Sequence, residues 1–186
     1  MLIGQQFTKS TYEDPTVVDS FIKRNSLNPK QTELIKSFAK TIEGKRVLDL
    51  GCGPGQDSYL FAELGFEVTG LDYSAEMIRR AKIFRQIANQ PRFVEGDMRH
   101  LTDYFAENSF DAIWASASLL HIQPEDLSQV LRGMTAVARN GAAVYVGLKG
   151  GSGTIVVDED KFGKPTKREF TLWDKASFIK QTKPYG

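Results

Sequence analysis

The chain carries a single cysteine, Cys52, among its 186 residues, which excludes an internal disulfide and makes a reducing, cytoplasmic setting the expectation. It has no apolar run near the roughly 20 residues that a membrane helix needs. The opening stretch, MLIGQQFTKSTYEDP, has no basic segment followed by a long apolar one, so no signal peptide is read there. Charge of either sign is not in excess. The net value is +1, which implies no global pull toward nucleic acid or a membrane surface. Internal repeats and low-complexity tracts are absent too.

What remains is an ordinary globular composition, 41% hydrophobic and 25% charged, long enough for one domain with a substantial core. Residues 1–14 read as a loose polar leader. Asp14-Pro15 then looks like a cap and first helical position, opening a helix to Arg24. A second helix is expected from Pro29 to about Thr41. Beyond it, short apolar strands alternate with helices. Strands fall at 46–50, 66–71, 92–95, 110–115 and 142–148, and helices at 56–64, from Ser74 to about Ala88, and from Pro124 to Asn140-Gly141. This alternation predicts right-handed crossovers and a Rossmann-like, doubly wound, mainly parallel sheet with helices on both faces. We divide the chain into an N-terminal helical or lid segment, 1–28, and a main domain, 29–186, with its core at 44–149.

The first strand runs into VLDLGCGPGQDS, where Gly51, Gly53 and Gly55 alternate. Open parallel sheets bind ligands at the C-terminal ends of their strands, and glycine lets backbone approach a ligand closely. A dinucleotide fingerprint would need a sixth-place glycine, and Gln56 stands there instead. Asp49 lies at the mouth, where a carboxylate repels phosphate and attracts an ammonium group. The second strand ends in Asp72, 21 residues after Gly51, a spacing that suits a ribose. The third ends in Asp97, able to accept from an exocyclic amine. The implied ligand has a cationic amino end, a ribose and an amino-bearing base, and no polyphosphate.

These motifs, with FDAIWASASLLHI after the fourth strand and ARNGAAVYVGLK at the fifth, resemble the class I S-adenosylmethionine-dependent methyltransferases over about Val47 to Lys149. The resemblance implies S-adenosyl-L-methionine as cofactor. The glycine loop, Cys52 included, would lie by the methionine part, Asp72 by the ribose with Tyr73 beside it, and Asp97 by the adenine amine with Met98 next to it. Met77 would lie near the base, and the backbone of Ala115 and Ser116 would meet the methionyl end.

Methyl transfer asks a protein to position a nucleophile and exclude water. His121, after the fourth strand, is the candidate base. His100 reads as a surface residue. Tyr12 could fold over the cofactor as a lid, and Ser118 joins it on the substrate side. Cys52 reads as a small residue in a tight loop rather than a nucleophile. The run Arg79, Arg80, Lys82, Arg85 reads as a solvated helix face, so no nucleic-acid partner is expected. No clustered acidic metal ligands follow the fourth strand. The expected reaction is methyl transfer to a small molecule. A nicotinamide-dependent oxidoreductase and a non-catalytic S-adenosylmethionine-binding module are the alternatives.

One expectation concerns the end of the sheet. The family adds two strands after the fifth, and only 38 residues follow Leu148. A hairpin at 154–173 and a helix from Asp174 to about Gln181 use them. We expect truncated C-terminal strands, with the open edge covered by the 154–173 segment or paired with another chain.

Overall fold

The computed structural model describes residues 3–25, 28–160 and 162–185. Residues 26 and 27, beside the expected boundary at 28, lie outside them. The element order is α1 (Ile3–Tyr12), α2 (Pro15–Asn25), α3 (Pro29–Ala39), β1 (Arg46–Leu50), α4 (Gln56–Glu63), β2 (Glu67–Asp72), α5 (Ala75–Ile83) and β3 (Arg92–Glu95). Then follow α6 (Leu101–Tyr104), β4 (Phe110–Ser116), α7 (Leu127–Val137), β5 (Ala138–Gly147), β6 (Gly153–Glu159), β7 (Thr166–Leu172) and α8 (Lys175–Thr182). Single 3₁₀ turns at Met98–His100 and Leu119–His121 follow β3 and β4.

Five strands form one parallel sheet in the order β3-β2-β1-β4-β5. The order reverses between β1 and β4, so the crevice that this topology reserves for ligands opens above Leu50 and Ser116. Alternation along each strand sorts side chains to two faces. Leu48, Leu50, Leu71 and Ile113 pack with α6 and α7 on one side. Val47, Val68, Ala112 and Trp114 pack with α3 and α4 on the other. Tyr59, Ile78, Ala81 and Phe93 fill the space under α4 and α5.

Local chemistry explains the helix starts. The Asn28 side chain accepts from the amides of Lys30 and Gln31, with Pro29 at the first helical position. Ser74 accepts from Met77 N. Helix α5 stops at Ile83, short of the expected Ala88. Past it, the Asn89 amide donates to the carbonyls of Ala62 and Phe66 at 3.1 and 2.8 Å, satisfying the end of α4.

Three expectations are corrected. The leader is not loose: residues 3–12 are helical. Its buried face is made of hydroxyl-bearing residues, Thr8, Thr11 and Tyr12, so it shows no apolar periodicity. The 154–173 segment does form a hairpin, but it pairs with itself as β6–β7 rather than with β5. Among the described residues no strand lies beyond β5. The hairpin instead packs on α1. Thr11 Oγ1 donates to the Lys167 carbonyl at 2.7 Å, and Glu169 N donates to Thr8 Oγ1 at 2.9 Å. Asn140-Gly141 also differs from expectation. The helix ends earlier, at Val137, and Gly141, at φ +75°, lies inside β5 where its register against β4 shifts.

Candidate active site

The glycine loop is held by the strand beside it. Gly51 N and Cys52 N both donate to the Leu71 carbonyl, at 2.7 and 3.0 Å. Gly51 has φ +76°, and a Cβ there would stand 2.3 Å from Ser118 Cβ. A Cβ on Gly53, at φ +53°, would meet only the Met77 sulfur, 4.0 Å away. Gly53 therefore presents bare backbone to open space, as a ligand cradle requires. Gly55 has a different task. It caps α4 with φ +81°, and its α-carbon packs against Phe93 and Ala81.

Above the loop lies a cavity of about 380 Å³. Of the expected residues its wall includes Asp49, Gly51, Cys52, Gly53, Asp72, Tyr73, Met77, Asp97, Met98 and Ser116, and also Tyr12, Ser118 and His121. Gly55 and Ala115 are not in the wall: Ala115 is fully buried in the core beneath it. His100 is exposed, its side chain 3.9 Å from Asp103.

Three carboxyl groups, two buried and one half-buried, share one side of the cavity. Asp72 accepts from Gly53 N at 2.8 Å and from Ser74 N at 2.9 Å. Burial nevertheless pushes its pKa up to about 6. Asp49 accepts from Ser58 Oγ at 2.5 Å. Burial, with the charges of Asp57 and Asp72 behind it, raises the Asp49 carboxyl well above the usual range. Asp57, in the first turn of α4, accepts from Trp114 Nε1 at 2.8 Å and from Gln31 Nε2 at 2.6 Å. Its carboxyl too is raised by burial. Such a wall suits a cationic ligand and repels a diphosphate.

Asp97 is engaged differently. Burial raises it, but the Arg99 side chain and amide outweigh that and hold it below the usual range. Arg99 also reaches Asp126 at 3.0 Å. Cys52 has its thiol pushed well up by burial, so it is no thiolate nucleophile.

The cavity's far end is roofed by α1 and β7. His121 Nδ1 lies 3.0 Å from the Glu169 carbonyl. A carbonyl only accepts, so the neutral ring carries its proton on Nδ1 and a lone pair on Nε2. Burial depresses the imidazole to about 4, against the opposing bond to Glu169. The Tyr12 ring meets His121 edge-on at 5.6 Å. Tyr12 O accepts from Ser74 Oγ at 2.8 Å, and its hydroxyl accepts from Arg168 Nη1 at 2.9 Å.

Sequence reasoning missed Gln31, Asp57, Arg99, Arg168 and Phe170 in this wall. For the last two a signal existed. Period-2 alternation in TKREFTL puts Thr166, Arg168 and Phe170 on one face, and all three are buried.

A fit to S-adenosylmethionine rests on the Gly53 cradle, the acidic wall and the Asp72 carboxylate. Backbone amides, those of Gly53 and Ser74 among them, orient that carboxylate, and a carboxylate so held can still accept from a hydroxyl. The family model described as a methyltransferase domain matches residues 47–141, half of the chain. Among curated relatives, an uncharacterized methyltransferase of Synechocystis is 36% identical over 98 residues, covering 53% of this chain and 44% of that protein. The chain spans about half or less of the length of the first curated relatives it matches. Among solved structures, a SAM-dependent methyltransferase of Methanosarcina mazei shares the fold with a TM-score of 0.70 at 20% identity, covering 86% and 84% of the two chains. A glycopeptide N-methyltransferase, MtfA, solved with S-adenosylmethionine, superposes with a TM-score of 0.64 at 15% identity, covering 83% and 76%. Sheet order, acidic wall and family match agree, and the chain belongs to the class I S-adenosylmethionine-dependent methyltransferases.

Proposed function

We propose that the chain transfers the methyl group of S-adenosylmethionine to a small-molecule acceptor. The observation that carries this reading is one cavity running from the Asp49–Asp72–Asp97 wall to a roof of α1 and β7. Phe21, Leu120, Ile122 and Phe170 line the roofed end. An acceptor there is enclosed by side chains, which favours a small apolar-bodied molecule. The basic face of α5 offers little to nucleic acid. Arg79 and Arg80 pair with Glu76, Arg80 also with Asp19, and Arg85 with Glu63.

When bound, the cofactor supplies a methyl group on a sulfonium, a leaving group that needs no further activation. The protein's own share is positional. Asp72 holds the ribose, Asp97 and Met77 the base, and Asp49 and the Gly51–Gly53 backbone the amino-acid end. Helices α1 and α2 and the β6–β7 hairpin act as a lid that keeps water out. His121 Nε2 takes the proton that an oxygen, nitrogen or carbon nucleophile releases as its new bond forms. At a pKa of about 4 the ring is neutral throughout the physiological range, ready to accept but a weak base.

Calorimetry with S-adenosylhomocysteine and with NADH, followed by a radiolabelled methyl screen over small alcohols, amines, acids and enols, tests the reading. Binding of the first ligand, none of the second, and transfer to a small acceptor are expected. Cofactor binding without transfer to any acceptor would favour a non-catalytic module. For the acceptor found, His121→Ala is expected to lower kcat at least tenfold with S-adenosylhomocysteine affinity within twofold of the parent. Unchanged turnover would leave His121 a packing residue.

A further inference from the structure

Among the described residues, two buried side-chain polar atoms have no hydrogen-bond partner, Ser118 Oγ and Arg168 Nε. Both residues line the cavity. A buried donor left unpaired is costly, and two such atoms in residues that line one cavity call for a partner that a bound ligand can supply.

Arg168 is 6% exposed. One of its Nη atoms donates to Tyr12 and the other pairs with Glu159. Its guanidinium lies 4.9 Å from the Phe162 ring centroid and 5.1 Å from that of Phe170. The side chain is thus fixed, with its Nε–H unpartnered. Tyr12 accepts from Arg168, and no described residue takes the Tyr12 hydroxyl proton, so the roof holds a second unused donor beside the first. A second cation stands close by. Lys149 Nζ lies 4.9 Å from the Phe170 centroid and forms no salt bridge among the described residues. Carboxyl groups of Asp49, Asp57 and Asp72 line one side of the cavity, and the Arg168 guanidinium and the Tyr12 hydroxyl belong to its roof.

We propose that the methyl acceptor carries a carboxylate, and that the Arg168 Nε–H and the Tyr12 hydroxyl hold it under the roof, making Arg168 the specificity-determining residue of the acceptor end. A carboxylate is the small group that accepts from two such donors at once and carries the complementary charge. Arg168 already faces one carboxylate, that of Glu159. Glu159 thereby tunes the site: neutralising it strengthens the field that the acceptor meets. This inference rests on the methyltransferase reading.

The test uses the full chain saturated with S-adenosylhomocysteine. Matched pairs are titrated by calorimetry: benzoate and benzamide, phenylacetate and phenylacetamide, hexanoate and hexanamide, decanoate and decanamide. In the parent protein at least one carboxylate is expected to bind tenfold or more tightly than its amide. Arg168→Gln is expected to abolish that gap, Arg168→Lys to keep part of it, and Glu159→Gln to widen it severalfold. Thermal unfolding reports whether each variant folds. If Arg168→Gln does not, the lysine and Glu159→Gln variants decide. An arginine serving only to hold the hairpin predicts no pair with a preference, or a preference that survives Arg168→Gln and ignores Glu159→Gln; either result overturns the proposal. Failure of S-adenosylhomocysteine to bind would instead remove the reading on which it stands.

Discussion

At the scale of single residues, the ribose contact proposed for Asp72 links charge to function most directly. Its carboxyl titrates near 6 because burial opposes the charged form, and ribose hydroxyls are best received by that charged form. Ligand binding therefore favours deprotonation. Affinity is expected to level off above about pH 7 and to weaken as pH falls through 6, by roughly tenfold between pH 7 and pH 5. Asp72→Asn should weaken S-adenosylhomocysteine by tenfold or more and flatten that profile. Calorimetry across pH 5 to 7.5 checks both, and a parent profile flat to pH 5 would refute the assignment. The carboxylates Asp49, Asp72 and Asp97 were legible in the chain because each lies at or near the C-terminal end of a strand, close to a glycine or a turn. Asp57, Arg99 and Gln31 were not. Their roles come from side chains meeting across elements distant in sequence, such as Gln31 Nε2 at 3.0 Å from Ser116 Oγ, and no local spacing encodes such a meeting.

Among the elements, the strands were the easiest to read and the roof the hardest. Arg46–Leu50 and Arg92–Glu95 match expectation to the residue, because short β-branched and aromatic runs bounded by turn residues leave few alternatives. Helix α1 escaped notice because tertiary hydrogen bonds stand where aliphatic contacts would normally be. One residue ties it to the cofactor wall. Ser74 Oγ donates to the Tyr12 carbonyl at 2.8 Å and accepts from Met77 N at 3.1 Å. Ser74→Ala removes a helix cap and this tether together, an expected loss of about 1–2 kcal/mol. The loss should be local. Amide exchange is expected to accelerate across residues 3–12 and at the start of α5, while β1 and β4 keep their protection. Uniform acceleration over the whole sheet would mean that α1 is not a separately opening unit.

For the whole molecule, the parallel sheet could be expected from alternation alone, but what locks its lower end could not. Asp111 collects Arg46 at 2.9 Å, Arg139 at 3.1 Å and the amides of Lys45 and Arg46, each at 2.9 Å. It joins β1, β4 and β5 at the end opposite the cavity. Gly44, at φ +114°, is needed there, since a Cβ would come within 2.4 Å of the Asp111 carboxyl carbon. The Arg46 side chain, despite some cost of burial, holds that carboxyl well below its ordinary value. The folded pKa is depressed, so the stabilisation is present at neutral pH and is lost as pH falls through the acid range. Asp111→Asn is expected to cost about 2 kcal/mol, the lower part of the range for bonds to a charged group because Arg46 is 45% exposed and screened. Urea unfolding at pH 7 measures the loss, and the variant should differ less from the parent at pH 3. The opposite end of the molecule has a consequence in time. Its roof joins α1 to β7, which follows more than 150 residues later in the chain. On the ribosome the five-stranded sheet can assemble while α1 still waits for its partner. A growing chain therefore has a floor for the cofactor long before it has a ceiling, and the chamber closes only when translation has passed Leu172.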